Sequence, residues 1–221
     1  MEKENSFLSE LKRYWQKFWF IVWKDDSFKG WIFSILFIFI VIKLIFFPVL
    51  NLATGTSLPL AIVESCSMYH NGNMLGSFDK WWEKHDSIYA DKDIAEKNFK
   101  EFIFKKGFNK GDILFIVGIN PEDIKIGDVI IFKSQGKDII HRVVDIKTDS
   151  AGKRVFSTMG DNVGRIQYFE EEIKENQIVG KAAFKLIPYI GWAKLIIVDF
   201  MDLFVPGTGS QYVKAGFCEE N

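Results

Sequence analysis

The longest apolar stretch of the chain runs from Trp31 to Leu50 and is broken only by Ser34, Lys43 and Pro48. That is about the 20 residues a helix needs to cross the hydrocarbon core of a bilayer. Its sixteen Leu, Ile, Phe and Val side chains contribute roughly -5 to -10 kcal/mol on the insertion scale, against at most about +3 kcal/mol for Lys43. Lys43 is off-centre and can snorkel, which lowers its cost further. The pattern predicts a transmembrane helix over 31–50. A cleaved signal peptide fits poorly, because a long polar and aromatic segment precedes the run and the run exceeds a usual signal core.

Upstream, Phe7, Leu8, Leu11, Tyr14, Trp15, Phe18 and Trp19 recur at helical spacing with lysines between them. This predicts an amphipathic helix within residues 1–30, either lying on the cytoplasmic leaflet or prolonging the anchor. Asp25-Asp26-Ser27 breaks it before the span.

Beyond the span, 51–59 is a turn-rich linker and Leu60–Val63 a short strand. Residues 77–106 change character: Ile94, Ala95, Phe99, Phe102 and Ile103 share one helical face among many charges, predicting one or two helices. From Gly111 the period becomes that of strands. Ile113–Val117, Val129–Lys133, Asp138–Ile146, Val155–Met159 and Ile178–Leu186 are the candidates, with turns at Asn120–Asp123, Ser134–Lys137 and Ser150–Gly152. The expected fold class is therefore mainly β: a small coiled β domain over 51–185 with a helical insertion at about 70–110, on an N-terminal transmembrane helix. Residues 186–205 are apolar but carry Lys194, Asp199 and Asp202, which favours an interfacial or domain-packed segment over a second span. Residues 206–221 are expected to be a disordered tail.

Charge adds direction. Lys3, Lys12, Arg13, Lys17, Lys24 and Lys29 precede the span, and no Lys or Arg lies between Asn51 and Asp79. The positive-inside rule then puts the N-terminus in the cytoplasm and everything after Leu50 outside. A net charge of -1 over 221 residues, without a dense basic stretch, gives no reason to expect nucleic acid as a partner. Two cysteines, Cys66 and Cys218, imply neither a disulfide framework nor a zinc site. They read as a small apolar residue and a tail residue.

The candidate chemistry is sparse. Ser67 follows the span closely, and a neutral serine needs a base to act as a nucleophile near pH 7. Of three histidines, His70 lies in a turn three residues from Ser67, His85 in the charged insertion and His141 in mid-strand. Alternation puts Ile139, His141 and Val143 on one face and Ile140, Arg142 and Val144 on the other. A half-buried histidine on a rigid strand is well held to act as a base. A carboxylate should orient it. Asp145, four residues along the same strand, is about 13 Å away and cannot reach. Asp161 ends the next strand and can be carried beside His141 by antiparallel pairing.

Four short motifs occur in order: Ser65-x-Ser67-Met68, Gly127-Asp128-Val129-Ile130-Ile131-Phe132, Ile140-His141-Arg142-Val143-Val144 and Gly160-Asp161-Asn162. Together they resemble the type I signal peptidases, in the archaeal and endoplasmic-reticulum branch that uses a Ser-His pair. Pro188-Tyr189-Ile190-Gly191 is similar to that branch's C-terminal signature. The resemblance covers roughly 31–67 and 108–195. It implies a signal-peptidase-type β domain with Ser67 as nucleophile, His141 as general base and Asp161 as acidic partner. Ser65 would assist the oxyanion hole beside the backbone N–H of Ser67. It also implies a serine endopeptidase that removes signal peptides from secretory precursors on the extracytoplasmic face of a cell or endoplasmic-reticulum membrane, with small residues before the cut. No cofactor or metal is needed for that chemistry. Membrane lipid and the protein translocation channel are the other expected partners.

The chain departs from the pattern at three places. His70 stands where the family commonly has Pro, Gln167 where it often has a second acid, and a long insertion separates the serine motif from Gly111-Asp112. Trp81-Trp82 in that insertion suit either a headgroup-docking surface or packing on the β domain. Two other readings stand beside the enzyme. One is a self-cleaving repressor, which the anchor argues against; the other is an inactive membrane-anchored β domain serving as a binding or assembly subunit.

Overall fold

The computed structural model describes residues 2–71, 78–188 and 218–219. It divides into two compact units, residues 1–53 and 54–221.

In the first unit, helix α1 (Glu2–Trp23) turns at Lys24–Asp26 into helix α2 (Phe28–Val41). Ser27 caps α2 by accepting from Gly30 N at 3.1 Å, which satisfies one of the orphan donors of the first turn. The two helices fold back on each other rather than running on in line. Ser34 Oγ donates to Val22 O at 2.7 Å, and Phe18 packs edge-on against Phe33 and Phe37. Gly30 sits at the crossing, where an added Cβ would lie 2.5 Å from Asp25. The apolar helix continues through a π-helical segment, Ile42–Phe46, into α3 (Phe47–Thr54). Pro48 supplies the reason: it has no N–H to donate to the carbonyl four residues back, and Phe47 N donates to Ile42 O five residues back. From Phe28 to Thr54 the helix is 27 residues long, and its most apolar 18 residues have a mean hydropathy of 2.8, long and apolar enough to cross a membrane and longer than the 31–50 expected.

The second unit is built on one antiparallel sheet in the order β1-β2-β7-β3-β4-β5-β6. Its strands are β1 (Leu60–Ile62), β2 (Ile113–Val117), β3 (Val129–Ser134), β4 (Lys137–Thr148), β5 (Arg154–Met159), β6 (Ile173–Lys174) and β7 (Ile178–Ile187). The mainly β expectation is met, and the turns fall where Gly and Asn foretold them. Gln135 (φ 52°) and Gly136 (φ 75°) both adopt positive φ between paired Ser134 and Lys137, the two-residue hairpin turn that matches strand twist. Leu186 and Ile187 belong to β7, so the segment expected from 186 starts as strand; from 189 onward it lies outside the described residues, and with it all of the 188–191 signature but Pro188.

The insertion differs from the expectation more. Helix α4 (Phe78–Ala90) is as foreseen, but α5 covers only Glu96–Phe99. Positive φ at Asp93 (58°) and Phe104 (62°) breaks the supposed helical face into turns, with Phe99 buried and Ile103 half exposed. Trp81 and Trp82 are buried, at 2% and 7% exposure. They pack with Tyr89, Ile94, Phe99, Val144 and Met159 in one cluster. Both indoles thus pack mostly against the domain, leaving little surface for a headgroup layer.

Candidate active site

Ser67 lies in the turn after β1, with its neighbours pinned from both sides. Phe108 N donates to Met68 O at 2.8 Å and Asn162 N to Ser67 O at 2.8 Å. Met68 itself is buried at 2% exposure in the core cluster of Ala61, Leu114, Ile131 and Ala182. Ser65 Oγ lies 3.0 Å from Ser67 Oγ.

His141 comes from the centre of β4, opposite Ile130 of β3. On its other side Arg142 pairs with Met159 and Val143 with Thr158, so Gly160 follows in line opposite His141. The glycine matters here. A Cβ at Gly160 would sit 2.8 Å from Ser67 O and 2.9 Å from His141 Nε2, closer than real Cβ contacts. These two atoms therefore lie no further apart than the sum of those distances. The bare backbone of Gly160 lets the serine turn and the histidine ring meet over it.

The opposite ring nitrogen, His141 Nδ1, is hydrogen-bonded to Glu170 Oε1. Glu170 is fully buried at the end of the 3-10 turn Tyr168–Glu170. Thr158 Oγ1 donates to its Oε1 at 3.0 Å, and Gln167 N donates to its Oε2 at 3.1 Å. An ionised carboxylate can only accept, so with Glu170 ionised and the ring neutral, Nδ1 carries the proton and Nε2 presents a lone pair toward Gly160 and the serine turn. That is the tautomer a general base requires.

Asp161 is not at His141, which corrects the expectation of it as acidic partner. The reason is strand parity. If Gly160 opposes His141, Asp161 falls opposite Ile140, on the face of Arg142. There it accepts from Arg142 Nε at 2.9 Å and Nη2 at 2.6 Å. Tyr89 OH donates to it at 2.8 Å, and His70 Nε2 lies 2.8 Å away. Arg142, fully buried, also donates to the carbonyls of Ile103, Phe104 and Gly127 and lies over the Phe99 ring at 4.7 Å. Burial alone would raise the Asp161 carboxyl, but Arg142 and His70 outweigh it and hold the group well below the usual carboxylate range. The same network raises the Tyr89 hydroxyl, through burial first and the Asp161 charge second.

His70 belongs to this network and not to Ser67. Its ring stacks on Trp81 at 3.6 Å, and Trp81 stacks on His85 at 4.4 Å. Burial lowers the His70 pKa, with Asp161 opposing the shift. His85 Nδ1 donates to Trp81 O at 2.8 Å, which places the third histidine in the insertion core.

Three features went unread in the sequence. Glu170 is one of several acids in Phe169-Glu170-Glu171-Glu172, and only its reciprocal pairing with Gln167 distinguishes it. Gln167, standing where an acid was expected, acts as the cap that steadies Glu170. The third is a disulfide between Cys66 and Cys218, 152 positions apart in sequence. It overturns the reading of these cysteines as a small apolar residue and a tail residue.

A cavity of about 430 Å³ lined by Trp82, Asp86, Ile94 and Glu96 lies on the insertion and includes none of the site residues. Among the described residues no group of three or more His, Cys, Asp or Glu is placed to hold a metal ion.

No protein-family model matches this chain. Among curated proteins it is similar to the signal peptidase complex catalytic subunit SEC11C of Homo sapiens and of Canis lupus familiaris. Each is 30% identical over 100 residues, covering 42% of this chain and 52% of the relative. The signal peptidase complex catalytic subunit SEC11 of Ogataea parapolymorpha is 30% identical over 108 residues, covering 42% of this chain and 61% of its own length. The chain thus spans about half the length of the curated mammalian relatives it matches. The motif resemblance and these relatives agree: over the matched stretch the chain is similar to signal peptidase complex catalytic subunits.

Proposed function

We propose that the chain is a membrane-anchored serine endopeptidase that removes signal peptides from secretory precursors on the extracytoplasmic face. The observation that carries the reading is the His141 ring, bonded through Nδ1 to buried Glu170 and turning Nε2 to the Gly160 position that the Ser67 carbonyl shares. His141 Nε2 takes the proton from Ser67 Oγ as that oxygen attacks the scissile carbonyl, then returns it to the leaving amine. Glu170 holds the ring in the productive tautomer and stabilises the imidazolium. The Ser67 N–H and the Ser65 hydroxyl stabilise the oxyanion, each worth a few kcal/mol at this kind of site.

The precursor binds as an extended strand, since backbone pairing gives affinity without demanding sequence. Shallow pockets for small side chains set the cut. The helix Phe28–Thr54 anchors the domain in lipid, with the N-terminus in the cytoplasm and the domain on the opposite side, where a translocation channel would deliver emerging chains. The Cys66–Cys218 disulfide suits that topology, because disulfides persist in oxidising compartments.

Precursor cleavage by the full chain in detergent tests the reading. Ser67→Ala and His141→Ala are expected to abolish cleavage while wild type cuts after small residues. Cleavage by Ser67→Ala at the wild-type rate would remove the mechanism, and absence of cleavage by folded wild type would favour the inactive binding subunit.

A further inference from the structure

The serine turn is held unequally on its two sides. On the C-terminal side Met68 is buried and its carbonyl accepts from Phe108 N. On the N-terminal side Ser65 is exposed and Cys66 only partly covered, so apolar packing contributes little there. Two ties replace it. The first is the disulfide to Cys218, whose Cα lies 5.4 Å from that of Cys66. The second is Asn162. Its side-chain amide donates one hydrogen to Cys66 O at 3.1 Å and the other to Glu219 O at 2.9 Å. Its backbone N–H donates to Ser67 O at 2.8 Å. One buried residue thus grips the carbonyls of Cys66 and Ser67 together with the segment that the disulfide joins to Cys66.

We propose that Asn162 and the Cys66–Cys218 disulfide form a clasp that positions Ser67, so that Cys218 and Glu219 are part of the working active site. Asn162 is a positioning residue, acting through the Cys66 and Ser67 carbonyls. The clasp sets the direction of Ser67 Oγ relative to His141 Nε2, and a displacement near 1 Å at such a pair costs up to about 100-fold in rate. The inference rests on Ser67 being the nucleophile, and its test separates the two.

The experiment measures kcat and KM for the full chain in detergent on a quenched fluorescent peptide with Ala-x-Ala before a single scissile bond. Cys218→Ser, Asn162→Ala and wild type treated with dithiothreitol are compared with untreated wild type. Dithiothreitol supplies two electrons and two protons, leaving Cys66 and Cys218 as thiols and itself as a cyclic disulfide. Circular dichroism at the assay temperature fixes the folded fraction of each sample. The expected result is a kcat about tenfold lower for each, with KM within about twofold. Cys218→Ser should not respond to dithiothreitol, and reoxidation should restore wild type. The double variant should lose less than the product of the single losses, because both ties hold one turn. Unchanged kcat per folded molecule, with only a lower melting temperature, would overturn the clasp. Cleavage by a Ser67→Ala control would instead overturn the assignment of the nucleophile.

Discussion

Two buried histidine–carboxylate pairs lie on opposite faces of strand β4, and their surroundings separate their roles. His141 and Glu170 share a face with Gly160, where the histidine keeps one nitrogen free toward the serine turn. His70 and Asp161 sit on the Arg142 face, closed in by Trp81 and Tyr89. Glu170 has His141 as its one ionisable partner, beside the neutral Thr158 hydroxyl and Gln167 N–H, an arrangement suited to orienting a base. A carboxylate shared among Arg142, Tyr89 and His70 joins three chain segments, and its charge is spent on Arg142. On the proposed reading, a His–acid contact alone does not mark a catalytic pair; the ring nitrogen turned toward the serine turn is what sets His141 apart from His70.

Exchanging charge for shape in each pair should separate them. Glu170→Gln keeps the buried volume but removes the charge and replaces one of the two acceptor oxygens with an amide donor, so the His141 tautomer is no longer fixed. By analogy with loss of the triad acid, kcat should fall about 10⁴-fold, with thermal unfolding changed little. A loss below tenfold would show that His141 needs no carboxylate here. Asp161→Asn should act the other way. Breaking a buried ion pair from one side costs about 3–5 kcal/mol, read as a lower urea midpoint, while kcat per folded molecule stays within about tenfold. An equal collapse of kcat in fully folded Asp161→Asn would return Asp161 to the catalytic role expected of it.

Gly160→Ala probes the point where the serine turn and the His141 ring meet. The added methyl would crowd Ser67 O and His141 Nε2 at once, and Ser67 O is backbone, so the serine turn must shift. Steady-state kinetics should show kcat lower by about 100-fold. Peptide KM should move less, because the contacted atoms belong to the reacting pair.

These contrasts also mark how far the sequence could be read. The anchor was legible because an apolar run of that length has few alternative solutions in water. The β3–β4 hairpin was legible because Gln135-Gly136 accommodates two positive φ angles. His141 was narrowed by alternation, and Ser67 stood out through its motif. Asp161 was placed next to His141 because its strand was right but its register was not yet fixed, and one residue of register changes the face. Glu170 depends on a 3-10 turn whose cap is a glutamine, a pattern too common to single out. The cysteine pair carries no local signal, since the two residues meet only once the sheet has formed.

The smallest expected effect is the pH dependence contributed by His70, and it tests the structural pair alone. Burial depresses its folded pKa below the ordinary histidine value of 6.5, against the opposing pull of Asp161. The unfolded chain therefore binds the proton more readily, so the stability His70 contributes is complete above pH 6.5 and is lost as pH falls through its folded pKa. Asp161 has a depressed folded pKa as well, so its contribution holds above about 3.8 and disappears in stronger acid. Thermal unfolding followed by circular dichroism should thus weaken in two steps on acidification, the first starting below 6.5. His85 stacks on the same indole and Arg142 lies on the same carboxylate, so both face the group being titrated. His70→Phe keeps the stack on Trp81, leaves Asp161 its Arg142 and Tyr89 partners, and should erase the upper step while the lower one remains. If the upper step survives in His70→Phe, the group responsible is another histidine, and the assignment of His70 to a neutral structural role fails.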